Sequence, residues 1–136
     1  MQNDNQNNQA ENQKPVERTV IYSYTRAQAL EDGVLVGISE LAKEMGFKCP
    51  VAVTSTVNAL LNDTYHYGQS FEGRAWDLLQ VLHFEISRSK NTDIIYFAPY
   101  FYVKGHNEPK SFKLWAKCDP DENGKPVITV MFVGED

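Results

Sequence analysis

Six residues have side chains of the kinds that bind ligands or protein partners. The helices and strands predicted around them do not require these side chains. They form two short groups: Tyr24, Arg26 and Asp32 in the first, and Arg74, Trp76 and Asp77 in the second. Helix capping and turn formation account for the neighbours of the first group, but they do not require an arginine at position 26 or an aspartate at position 32. We therefore treat the two groups as a candidate binding surface.

The second group has a simpler alternative. Arg74 and Asp77 are three residues apart on a predicted helix, where opposite charges pair across one turn and contribute about 0.2–0.5 kcal/mol. A surface ion pair would explain both residues without a ligand. The other interpretation is a recognition surface in which Trp76 lies between the two charged residues. The sequence does not decide between the two interpretations. The polar residues of both groups would also serve a small enzyme or a ligand-binding domain.

The segment 119–125 has the spacing of the first half of a calcium-binding EF-hand loop. Asp119, Asp121 and Asn123 occupy loop positions 1, 3 and 5. Position 12 should be a bidentate glutamate but is Val130, and a strand rather than a helix is expected to follow. We interpret the segment as a hairpin loop of turn-forming residues and predict no metal site.

No arrangement of nucleophiles, histidines or metal ligands indicates catalysis. The sequence has no HExxH motif and no phosphate-binding loop, so we predict no catalytic residue and no cofactor. His83 lies beside the apolar face of a predicted helix, where a packed histidine is the simplest interpretation. Cys49 and Cys118 are far apart in apolar contexts, which favours buried free thiols over a disulfide.

Composition excludes several classes of protein. The net charge of −5 argues against binding nucleic acid, which needs clustered Lys and Arg. No apolar run is long enough to span a membrane, and the N-terminus lacks a signal-peptide pattern, so we expect a cytoplasmic protein. Nine of residues 2–13 are Asn or Gln. We therefore predict a disordered tail over residues 1–17 and a single domain over residues 18–136.

The best helix signal lies in the residues from 70 to 89. Its apolar residues recur at i, i+3, i+4 and i+7 and so share one face of a helix. We predict that this face packs on a sheet and that Trp76 is buried in the contact. The residues of the face are Ala75, Trp76, Leu79, Leu82 and Ile86.

A series of short elements precedes this helix. The clearest is a helix over residues 26–32 that starts with a capping box of Thr25 and Gln28 and ends at Gly33. A hairpin turn at residues 32–33 is the competing interpretation. The other predicted elements are strands over residues 19–24, 34–38 and 47–53, and helices over residues 40–44 and 55–61 with Ser39 and Thr54 as their N-caps.

Three strands are predicted after the central helix, over residues 93–103, 111–118 and 127–133. Pro99 cannot donate to a ladder, so the first strand is expected at an edge or with a bulge. The alternation in the second strand turns Leu114 and Cys118 inward and Trp115 outward. Together the strands predict an antiparallel meander with residues 111–118 in the middle, and helices before strands indicate the α+β class.

Several motifs resemble a known family. The runs YTRAQALEDGVLV from residue 24, PVAVT from residue 50, RAWDLL from residue 74 and PVITVMFVGED at the C-terminus are similar to those of short proteins of unknown function. Such proteins are carried on bacterial plasmids and other mobile elements. The resemblance implies a bacterial, cytoplasmic protein but no catalytic residues. We expect an accessory protein that acts through contact with another protein.

Overall fold

A mixed sheet of five strands forms the centre of the computed structural model, which describes residues 24–64, 68–90 and 92–135. The predicted disordered tail and the strand predicted over residues 19–24 lie outside the described residues, except for Tyr24. The helices are α1 (Arg26–Asp32), α2 (Ser39–Met45), α3 (Ser55–Asn62) and α4 (Phe71–Arg88). The strands are β1 (Leu35–Gly37), β2 (Val51–Thr54), β3 (Ile94–Phe97), β4 (Tyr100–Phe101), β5 (Lys110–Ser111), β6 (Leu114–Pro120) and β7 (Pro126–Phe132).

The strand order of the large sheet is β1-β2-β7-β6-β3. The predicted meander is confirmed, since β6 pairs antiparallel with both β3 and β7. The sheet extends further than predicted, because β7 also pairs in parallel with β2 and joins the N-terminal half to the meander. The α+β class is therefore confirmed, with one sheet shared by both halves of the chain.

Helix α4 lies on one face of this sheet, but it is rotated from its predicted orientation. Its buried side chains include Ala75, Leu78, Leu79 and Leu82, each fully inaccessible to solvent. Each helical residue turns the chain by roughly 100°, so the observed stripe centres near Leu82 and Ala75, with Leu78 on the side away from Trp76. The prediction that Trp76 is buried between helix and meander is wrong, because Trp76 lies at the margin of the stripe and is 37% exposed.

Two of the predicted long strands are divided in two. Residues 93–103 form β3 and β4, and Pro99 lies between them without an N–H to donate. Residues 111–118 are divided likewise, because β5 pairs with β4 in a separate two-stranded sheet while β6 remains in the large one. The backbone N–H of Phe112 donates to the carbonyl of Pro99 where the chains leave the large sheet.

The short N-terminal elements follow most of the local signals. The capping box of Thr25 and Gln28 is confirmed, and Gly33 ends α1 with a left-handed φ of 79°, so the hairpin interpretation is wrong. Thr54 caps α3 as predicted, since its hydroxyl accepts from the N–H of Val57. The prediction that Ser39 caps α2 is wrong, because its hydroxyl bonds instead to the backbone of Val51.

Among the described residues, no helix is both long and apolar enough to cross a membrane. The longest helix, α4, is amphipathic and carries charged residues on its exposed side. Its apolar side packs on the sheet, so this helix belongs to the core of the domain.

Substitutions on α4 test the observed rotation. Leu78→Ala should lower the free energy of unfolding by about 2–5 kcal/mol, because it empties a fully buried site. Phe84→Ala is the control on the same helix, and it should cost under about 1 kcal/mol because its ring is 58% exposed. Urea unfolding of both variants checks the prediction. Equal losses in the two variants would contradict this orientation of α4.

Candidate ligand-binding cavity

An apolar cavity of about 390 Å³ lies between the C-terminal half of α4, the segment before β2 and one end of the sheet. Its apolar walls come from three directions: Phe47 from the segment before β2, Ile86 from α4, and the sheet residues Ile95, Ala116 and Ile128. Cys49 and Cys118 line the same space. We call this space the thiol cavity.

The floor of the thiol cavity is formed by residues of the sheet. The pleat and register of the strands determine which side chains face it. Cys118 on β6 is the cross-strand partner of Ile128 on β7, and Ala116 lies two residues earlier on the same face. The backbone N–H of Cys118 also donates to the carbonyl of Asp93 at 2.8 Å, which holds the start of β3 against β6. The floor is therefore built from regular, hydrogen-bonded strands.

The opposite wall is formed by residues 46–49, an irregular segment that directly follows α2. Gly46 ends α2 with φ 111°, a left-handed value that other residues rarely adopt. The ring of Phe47 then meets the ring of His83 edge-on, with centroids 5.3 Å apart. His83 therefore contacts Phe47 and lines the thiol cavity, but it is exposed, so the prediction of a packed histidine is wrong.

The two cysteines are brought together across the sheet. Burial raises the pKa of the Cys49 thiol, and its interaction with Cys118 raises that pKa further, so Cys49 is a neutral thiol near pH 7. Both cysteines are free, as predicted. The prediction that both are buried is wrong, because Cys49 is only half-buried and Cys118 is exposed on the open floor of the cavity near the end of β6.

Charged groups are present at the thiol cavity as well as apolar ones. Lys48, Lys117 and Asp93 all contribute to its lining. The ammonium group of Lys117 lies 3.6 Å from a carboxylate oxygen of Asp119, and both side chains are well exposed. The cavity therefore combines an apolar interior with a few charged residues, Lys48 and Asp93 among them, which suits a ligand with an apolar body and one charged group.

The first predicted group is only partly assembled. The hydroxyl of Tyr24 donates to a carboxylate oxygen of Asp32 at 3.0 Å on the exposed surface. Arg26 turns away and donates to the hydroxyl of Thr129 at 2.6 Å and to the carbonyl of Ile128 at 2.9 Å. Burial lowers the pKa of Arg26, partly offset by nearby carboxylates. Arg26 therefore attaches α1 to β7.

The second predicted group is not one surface, because Arg74 is a buried structural residue. Only 2% of Arg74 is exposed, and its guanidinium donates to the carbonyl of Leu60 at 2.6 Å, to Oε1 of Gln69 at 2.8 Å and to the carbonyl of Tyr102. Burial lowers the pKa of Arg74, although it keeps its charge. The guanidinium also lies over the ring of Phe101.

The three residues of the second group therefore do not share one site. No ion pair joins Arg74 to Asp77, so the predicted surface pair is wrong. Partial burial raises the pKa of Asp77. Asp77 and Arg74 line one shallow depression, whereas Trp76 lines a different one beside Phe84. An arginine inside an amphipathic pattern gives no sign from sequence that it will be buried, because that depends on carbonyls brought from distant segments.

The segment 119–125 is the β6–β7 hairpin, as predicted. Oδ1 of Asp121 accepts from the backbone N–H groups of Asn123 at 2.8 Å and Lys125 at 3.0 Å. These bonds, the one from Lys125 first, lower the pKa of Asp121. The carboxylate is thus used to close the turn. Within the described ranges, no group of three or more His, Cys, Asp or Glu residues could hold a metal ion.

Comparison of the chain with protein-family models, with curated proteins and with solved structures finds no match. The resemblance to proteins of mobile elements therefore stays a prediction, and the chemistry of the site is derived from the residues of this chain.

Replacement of Arg74 tests its structural role. Arg74→Lys should lower the free energy of unfolding by about 1–3 kcal/mol, because an ammonium group cannot reach all three acceptors and leaves buried carbonyls without a donor. Arg88→Lys is the matched control and should change stability by less than about 0.5 kcal/mol, since its side chain is 62% exposed. Urea unfolding measures both. Equal losses of stability in the two variants would contradict a buried, structural role for Arg74.

Proposed function

We propose that this chain is a small binding protein whose thiol cavity takes a small, largely apolar molecule bearing an acidic group. One observation carries the proposal: apolar side chains from α4, the sheet and segment 46–49 line an open cavity of about 390 Å³ and meet a few polar groups at the same place. A well-formed apolar pocket with convergent polar groups is the usual form of a ligand site.

The charges at the thiol cavity support the acidic group on the ligand. Lys48 and Asp93 line it with one charge of each sign. The side chain of Lys117 points to the opposite face of β6 from Cys118 and pairs with Asp119. The imidazole of His83 and the two thiols add further polar groups to the lining. We infer that a carboxylate or sulfonate on the ligand pairs with the ammonium group of Lys48, although the whole chain is acidic.

The setting of this activity follows from the resemblance described above. We propose an accessory protein of a bacterial mobile element that works in the cytoplasm. Free cysteines support this setting, because thiols persist in reducing compartments. The ligand would then be a metabolite of the host or a signal that the element detects.

A second candidate function, contact with a protein partner, is favoured by the outer face of the sheet. Tyr96, Trp115 and Met131 are register neighbours across β3, β6 and β7. The ring of Tyr96 stacks on that of Trp115 at 6.3 Å between centroids, and Tyr96 is 66% exposed. Aromatic residues and methionine are enriched where proteins meet. We propose these three residues as the contact surface.

Filling the cavity tests the first function. The fluorescent dye 8-anilinonaphthalene-1-sulfonate, an apolar body with a sulfonate, should bind the protein with one site. Ala116→Leu places extra carbon atoms into the cavity from a buried position on β6 and should weaken binding at least tenfold, which is about 1.4 kcal/mol. Fluorescence titration gives the dissociation constants.

The matched control for that titration is Ala98→Leu, at an exposed position between β3 and β4. It should bind the dye as the wild type does. Both variants are first shown to be folded by their thermal melts. Equal binding by Ala116→Leu and wild type would place the dye elsewhere and contradict a ligand site in the thiol cavity.

Two tyrosines of nearly equal exposure test the second function. Tyr96 is 66% exposed on the outer face and Tyr100 is 65% exposed in the small sheet. A protein recovered with the wild-type chain from a bacterial lysate should be lost with Tyr96→Ser and kept with Tyr100→Ser, because only Tyr96 stacks on Trp115. Quantitative mass spectrometry of the recovered proteins decides. A partner kept by both variants would argue against this surface.

A further inference from the structure

We propose that Cys49 and Cys118 are an oxidative modification site: a disulfide between them draws segment 46–49 towards β6 and closes the thiol cavity. The effect on a ligand rests on the proposed function, whereas the formation of the disulfide and the movement of the segment do not.

The juxtaposition of the two thiols carries the inference. The cysteines lie far apart in the sequence, yet both line one cavity of about 390 Å³. Their thiols are near enough to interact, and each is free. Cys118 is exposed and Cys49 is half-buried, so an oxidant in solution reaches Cys118 first and Cys49 is held behind it.

The strand order determines what must move. Cys49 precedes β2 and Cys118 lies on β6, with β7 between the two strands. Neighbouring strands are about 4.8 Å apart, so β2 and β6 are about 10 Å apart. Through Ile128, Cys118 is level with Val51, and Cys49 lies two residues before that position. A disulfide spans only about 4.4–6.8 Å between Cα atoms. The bond therefore forms only if one of the two backbones approaches the other.

Segment 46–49 is the part that can approach. It begins at Gly46, whose left-handed φ of 111° ends α2, and it precedes the first paired residue of β2, Val51. Cys118, in contrast, is held in β6 by its pairing with β7 and by its bond to the carbonyl of Asp93. Because Phe47 and Lys48 belong to the moving segment, its approach to β6 narrows the cavity that they line.

The chemistry balances with a low-molecular-weight disulfide such as oxidised glutathione as the oxidant. The thiolate of Cys118 attacks one sulfur of oxidised glutathione, forms a mixed disulfide and releases one glutathione thiolate. Cys49 then loses its proton to solvent and attacks the sulfur of Cys118, which breaks the mixed bond and releases the second glutathione. Two protein thiols lose two electrons in total, and oxidised glutathione gains them.

The first measurement follows the covalent change in the full chain. After incubation with oxidised glutathione, trapping of free thiols and digestion without reductant, mass spectrometry should find a peptide in which Cys49 is joined to Cys118. Cys49→Ser should stop at a mixed disulfide of Cys118 with glutathione. A wild-type chain that keeps two free thiols, or that forms disulfides only between two copies, would overturn the proposal.

The second measurement follows closure. Backbone amides of segment 46–49 should exchange with deuterium more slowly in the oxidised wild type than in the reduced one. Dye affinity should fall at least tenfold on oxidation and return with dithiothreitol. The double variant Cys49→Ser, Cys118→Ser should bind the dye equally in both buffers, whatever its affinity.

The two proposals fail in different ways. A reduced wild type that binds no dye would refute the proposed function, while the cross-linked peptide and the slower exchange would still establish the modification site. A disulfide that forms without a change in exchange or in dye affinity would refute closure of the cavity.

Discussion

The parallel pairing of β2 with β7 is the constraint on which the rest of the structure depends. It joins the N-terminal half of the chain to the meander, with Val51 opposite Ile128 and the N–H of Ile128 bonded to the carbonyl of Pro50. Val51, Val53 and Val130 are completely buried as a result. The same pairing brings Cys49 to the side of the sheet that holds Cys118, and it leaves the carbonyl of Ile128 within reach of Arg26.

Helix α4 is fixed very differently at its two ends. Near its N-terminus, Arg74 reaches carbonyls from α3 and from the segment after β4, so three parts of the chain converge on one guanidinium. A buried charge with such partners tolerates little displacement, because each lost bond leaves a desolvated acceptor. Near its C-terminus, Ile86 faces the thiol cavity rather than packed side chains. The helix thus combines one rigid anchor with one end where space remains for a ligand.

Local signals in the sequence were sufficient for much of the fold, and long-range contacts account for what they missed. The capping box at Thr25, the end of α1 at Gly33 and the cap at Thr54 depend on neighbours in the chain, and all three were predictable. The rotation of α4 was not, because apolar residues on both sides of its stripe permit more than one packing face. The burial of Arg74 and the meeting of Cys49 with Cys118 required the strand order, which periodicity does not contain.

The position of β7 has a consequence for synthesis of the protein. This strand lies between β2 and β6 in the sheet but follows both in the chain. A nascent chain therefore exposes an unpaired edge on β2 and another on β6 until residues 126–132 leave the ribosome. Such edges are templates for aggregation. The core consequently closes late, and any truncation before β7 would leave the two halves of the sheet without the strand that unites them.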